Sequence, residues 1–171
     1  MRGTVKATAG LLGAVMLALA APACSQPQEA FIEVADDDER MNAAMAEAKA
    51  SLPQFWRRFE TGTPEYSDFT VKAAMTTVGG QGIEHIWIDV SDRRDGKVTG
   101  RLANEPVHLG DELTLGSEVE VPEAIISDWG YAKGEVNYGH FTTRVLMTRQ
   151  YPDTPLAEYG LSPNPLESET N

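Results

Sequence analysis

The chain has 171 residues and a formal net charge of −12, with length enough for one ordinary domain around a hydrophobic core. An acidic surface repels phosphate backbones and anionic headgroups, which argues against direct nucleic-acid binding. Solubility, basic partners and cationic ligands remain as uses of that charge.

The N-terminus reads first. Arg2 and Lys6 precede an apolar run from Ala9 to Ala21, and no acidic residue occurs before Glu29. That is the pattern of a secretory signal peptide over residues 1–23. The run is shorter than the roughly 20 apolar residues a membrane-spanning helix needs. Ala21 and Ala23 suit a peptidase site, and Cys24, the one cysteine, follows at once. An exported lone thiol asks for a reason. Its setting resembles a bacterial lipobox, although Ala21 stands where the best lipoboxes have Leu. The expectation is an exported protein anchored by a lipid on Cys24, in the periplasm or at the outer membrane. Ser25 favours the outer membrane; a soluble exported protein cleaved after Ala23 is the simpler alternative. Loss of residues 1–23 removes two positive charges and takes the formal charge to −14.

Residues 24–30 read as a polar tether, 31–150 as a single α+β domain, and 151–171 as a Pro-rich acidic tail. The tail is expected to be mostly disordered or to lie along the surface. "FIEV" is a short strand candidate, and "DDDE" at 36–39 supplies a helix cap. Met41, Ala44, Met45, Ala48 and Leu52 form one helical stripe. Pro53 then separates a second short helix, "QFWRRFE", which makes the pair an N-terminal helix or helical hairpin. From residue 68 the period changes to two. "DFTVKAAM", "IEHIWIDV", "KVTGRLAN", "GSEVEVP", "EAIISDW" and "GHFTTRVLM" read as strands or extended segments, with turns at "VGGQG" and "DRRDG". The expected architecture is a helix or hairpin packed on a strongly bent antiparallel sheet or small, partly open barrel.

Alternation along 83–90 sets Glu84, Ile86, Ile88 and Val90 on a core face, with His85, Trp87 and Asp89 opposite. Along 138–147, Phe141, Val145 and Met147 alternate with Tyr138, His140, Thr142 and Arg144. If the two segments are neighbours, His85, Trp87, His140 and Arg144 share one surface, bordered by Asp128 and Trp129. Asp128 and Arg144 are a candidate internal ion pair, and Asn104 suits a turn. Two histidines and an aspartate are ligand types for zinc, yet no H-x-x-x-H or H-E-x-x-H spacing occurs. Ser127 lies in no G-x-S-x-G motif, and the glycines of "VGGQG" are not followed by the Lys-Ser/Thr of a phosphate loop.

The ordered motifs "EHIWIDV", "GRLANEP", "EAIISDW" and "GHFTTRVLM" resemble the YegJ-like family of uncharacterised bacterial proteins over about residues 31–147. The resemblance implies a small α+β domain, often exported or lipid-anchored, without an assigned activity. The family-like positions are Glu84, His85, Trp87, Gly100, Leu102, Asn104, Pro106, Asp128, Trp129, Gly139, Thr142 and Arg144.

The functional expectation is a non-catalytic binding module for a protein or small-molecule partner, without a cofactor. Its candidate binding residues are Glu84, His85, Trp87, Asn104, Asp128, Trp129, His140 and Arg144, since aromatics and arginine supply much of the energy of interfaces. The rival is a metal-dependent or other hydrolase using His85, His140 and Asp128.

Overall fold

Residues 38–168 are described by the structure, a computed structural model. The signal peptide, the tether with Cys24 and the "FIEV" strand lie outside the described residues. Helix α1, Glu39–Thr61, opens at Asp38, whose carboxylate accepts the backbone N–H groups of Arg40 and Met41. It closes at Gly62, where a φ of 58° requires the left-handed region. The expected break at Pro53 does not occur: the helix runs through it as one 23-residue element. Pro53 sits on the exposed side, while Leu52, Phe55 and Trp56 extend the buried stripe of Ala44 and Ala48. A proline inside a helix costs about 3 kcal/mol. Phe55 is fully buried and Trp56 is 4% exposed, and together their burial is worth more than that.

Among the described residues, six antiparallel strands follow: β1 (Tyr66–Thr76), β2 (Ile83–Arg94), β3 (Lys97–Leu102), β4 (Glu118–Pro122), β5 (Ile126–Lys133) and β6 (Val136–Gly139). Their spatial order is β4-β3-β2-β1-β5-β6. This overturns the expected barrel or strong bend. The sheet keeps two edges, β4 and β6, and is neither closed nor strongly curled. Asp95 and Gly96, both at positive φ, turn β2 into β3, the pairing that a tight two-residue hairpin demands.

Helix α1 covers one face of the sheet. Val71, Ala73, Ile86, Ile88, Val98, Ile126, Trp129 and Tyr131 meet its buried stripe. An aromatic chain runs through this layer. Phe55 lies 5.6 Å from both Phe69 and Trp129, and Trp129 stacks on Tyr131 at 5.8 Å. Trp129 also donates Nε1–H to the Ala48 carbonyl at 2.9 Å, which ties the centre of the sheet to the helix.

"GHFTTRVLM", expected to be a strand, is a helix: α2, Phe141–Gln150. Its β-branched threonines and valine favour a strand locally, but tertiary contacts override them. Strand β6 lasts only four residues before His140, at φ 54°, swings the chain out of the sheet. Phe141 then enters the core edge-on to Trp129 at 5.3 Å. The tail is described over 152–168. There Leu161 and Ser162 are buried, and Leu161 bridges Asn137 of β6 in parallel.

Candidate functional site

The face of the sheet opposite α1 follows from register. Lys72 of β1 pairs with Trp87 of β2 on one side and with Asp128 of β5 on the other. Thr70 pairs with Asp89 and with Gly130, and Ala74 pairs with His85. Directly opposed residues point the same way, so Lys72, His85, Trp87 and Asp89 share the outer face. The alternation expected for 83–90 is therefore observed: Glu84, Ile86 and Ile88 are buried and His85 is exposed.

His140 joins this face by an unexpected route. Its ring lies over Gly130, where an added Cβ would come within 2.1 Å of Nε2. Only glycine at 130 leaves room for it. From there the imidazole reaches Trp87, with ring centroids 5.1 Å apart. The Lys72 ammonium sits 4.7 Å from the centre of the same indole, a cation–π contact. Burial, with Arg144 and Lys72 nearby, pushes His140 down to about 4. Burial, with Lys72 and Lys49, also lowers His85. Both imidazoles are neutral at pH 7, beside a lysine held against an indole.

Asp128 shares the outer register but not the surface, because the start of α2 covers it completely. Its Oδ1 accepts the backbone N–H of Trp129 at 2.8 Å and of Phe141 at 3.1 Å. Its Oδ2 accepts the backbone N–H of Thr142 at 2.8 Å and the Thr142 hydroxyl at 2.6 Å. The carboxylate is thus the cap of α2, supplied from β5, since His140 makes no side-chain cap of its own. Burial pushes the Asp128 carboxyl up, against the opposing pull of Lys72 and of the Thr142 and Trp129 hydrogen bonds. Lys72 reaches the assembly by donating to Thr142 Oγ1 at 2.8 Å.

Four further expected site residues, besides Asp128, are structural. Trp129 is in the core and borders no surface. Arg144 lies on a helix instead of the shared strand face. It donates to the carbonyls of Gly139 (2.6 Å) and Ser162 (2.5 Å), fixing the turn into α2 against the tail. The expected Asp128–Arg144 ion pair is absent: backbone N–H groups and Thr142 satisfy Asp128, and backbone carbonyls satisfy Arg144. Glu84 is buried and accepts the N–H groups of Val107 (2.8 Å) and His108 (2.7 Å), which pins the loop after β3. Asn104 accepts the Trp87 N–H at 2.9 Å, so a side chain completes the hydrogen bonding of β2.

His85, His140 and Asp128 are not grouped as a metal site among the described residues. Every oxygen of Asp128 is engaged by buried donors, and among the described residues no three His, Cys, Asp or Glu side chains are grouped to hold a metal. Ser127 Oγ lies 2.8 Å from His85 Nδ1, superficially a nucleophile and its base. The same hydroxyl also lies 3.2 Å from the Lys72 carbonyl, an acceptor that competes with Nδ1 for its one proton. Ser127 is also 2% exposed.

Sequence reasoning missed Lys72. A lysine between Val71 and Ala73 in an alternating strand marks the polar face of a central strand, and that was the available signal. Ser127, set aside as a nucleophile, serves to orient His85.

No solved structure matches the chain. It is 29% identical over 130 residues to "Uncharacterized protein YegJ" of Escherichia coli (strain K12), covering 71% of this chain and 80% of that protein. It is 30% identical over 122 residues to "Putative ankyrin repeat protein NMB1133/NMB1171" of Neisseria meningitidis serogroup B (strain ATCC BAA-335 / MC58). That match covers 68% of this chain but only 47% of the relative. Residues 38–159, the helix, the whole sheet and α2, match the family described as "Uncharacterized protein conserved in bacteria (DUF2314)", and the chain belongs to that family.

Proposed function

We propose that this domain is an exported, lipid-anchored binding module of the bacterial envelope, and that its outer sheet face takes up a protein or small-molecule partner without catalysis. The carrying observation is the convergence of Trp87, His140 and Lys72 on a face that α1 leaves open. A half-buried indole flanked by neutral imidazoles and an ammonium offers apolar area, N–H donors and one positive charge. These are components of recognition. No poised base, nucleophile or metal set accompanies them among the described residues. The signal-peptide pattern and the cysteine at 24 support delivery to the envelope, where the anchor would hold the domain at a membrane.

Affinity capture from the native envelope with the full chain tests this reading. Trp87→Ala should lose the partner that the wild type retains, while the melting temperature stays within a few degrees. Equal capture by both proteins would refute the assignment of the outer face.

A further inference from the structure

A second polar constellation lies at the other end of the sheet. Glu167 is part-buried, with its side chain 10% exposed, and four side chains from three elements converge on its carboxylate. Arg58 Nε of α1 donates at 3.1 Å, Tyr66 Oη of β1 at 3.1 Å, Tyr131 Oη of β5 at 3.2 Å and Lys133 Nζ of β5 at 2.5 Å. Against the burial that would raise it, hydrogen bonds from Lys133, Arg58 and Tyr66 hold this carboxyl below the usual range. The other carboxylate at the cluster, Glu65, stands at the exposed rim, 3.7 Å from Lys133. Without a carboxylate in the middle, two cations and two hydroxyls would face one another with their acceptor gone.

The occupant arrives as an extended segment. Gly160 accepts the Asn137 N–H at 2.7 Å, Ser162 donates to the Asn137 carbonyl at 2.9 Å, and Pro165 accepts the Gly139 N–H at 2.8 Å. The segment thus lines the edge of β6 before Glu167 drops into the cluster. Gln54 then donates Nε2–H to the Glu167 carbonyl at 3.4 Å. Gln54 Oε1 is buried without a donor. All four donors fall within residues 38–159, which match the family, whereas Glu167 lies beyond them.

We infer that Arg58, Tyr66, Tyr131 and Lys133 form a carboxylate receptor for an extended acidic peptide, and that this chain's own C-terminal segment fills it in cis through Glu167. The bound peptide runs along the edge of β6, with backbone hydrogen bonds giving affinity and the part-buried carboxylate giving selectivity. The cis segment competes by its effective concentration, so an external peptide binds only when that segment is weakened. This site is independent of the Trp87 face.

The test uses the full chain and a fluorescein-labelled synthetic peptide with the sequence of residues 158–171. Glu167→Ala and Glu167→Gln should each bind the peptide at least tenfold more tightly than the wild type does, read by anisotropy. The same peptide carrying Gln at the position of Glu167 should bind these variants at least tenfold more weakly. Acetate should raise the melting temperature of Glu167→Ala more than chloride at equal ionic strength. Trp87→Ala added to either variant should leave peptide affinity unchanged, which separates this site from the outer face. Should Glu167→Ala fail to fold, Glu167→Gln carries the peptide measurement alone. Equal affinity for the Glu and Gln peptides, or no binding to a folded Glu167 variant, overturns the inference.

Discussion

Trp87 and Trp129 flank the same strand, opposite Lys72 and Val71 of β1, yet they face opposite sides of one sheet. Trp129 is fully buried, hydrogen-bonded to α1 and ringed by Phe55, Tyr131 and Phe141. Trp87 is half-buried and meets an imidazole and an ammonium instead. The same residue type is therefore structural on one face and available on the other. Register decides which, because a shift of one position exchanges the faces. The comparison also sorts the charged groups: Asp128 shares the outer register but is consumed by α2, whereas Lys72 keeps one side on the open face.

The sharpest way to break the comparison is to truncate both indoles. Trp129→Ala should cost about 3–5 kcal/mol of unfolding free energy by urea titration, because it leaves a cavity against α1. Asp128→Ala should come next, at roughly 2–4 kcal/mol, by stranding the buried donors of Phe141 and Thr142. Loss of α2 amide protection in hydrogen exchange would locate that damage.

A pH series probes His140. Its imidazole titrates near 6.5 when unfolded and at about 4 when folded, so the unfolded chain takes the proton first. The His140 contribution should hold steady above pH 6.5, fall by roughly 3 kcal/mol as pH drops to about 4, and flatten below that. His140→Asn, which tolerates the same positive φ, should remove most of this slope. An unchanged slope would show that His140 is open to solvent. The smallest effect belongs to Trp87→Ala, about 1 kcal/mol or less, since it empties no core. A loss near that of Trp129→Ala would make the outer face part of the fold.

Much of this arrangement was legible in the sequence. The period-two pattern of 83–90 gave the correct faces, and the stripe from Met41 to Leu52 gave the correct helix. The strand read into 138–147 failed because Phe141, Arg144 and Val145 fit helical spacing as well as alternation. What selects the helix is the Asp128 cap, thirteen residues away in sequence, and local patterns do not carry that contact. Arg144 was misplaced by the same error. His140 reached the expected surface, but through a positive φ and the space above Gly130. Glu167 escaped notice because its partners lie between 34 and 109 residues away.

The most direct test of the division between the two faces is an NMR spectrum of the three tryptophan indoles as an envelope extract containing the partner is added to the full chain. The Trp87 indole signal should shift while those of Trp56 and Trp129 stay fixed. Movement of the Trp129 signal with Trp87 unmoved would contradict the account.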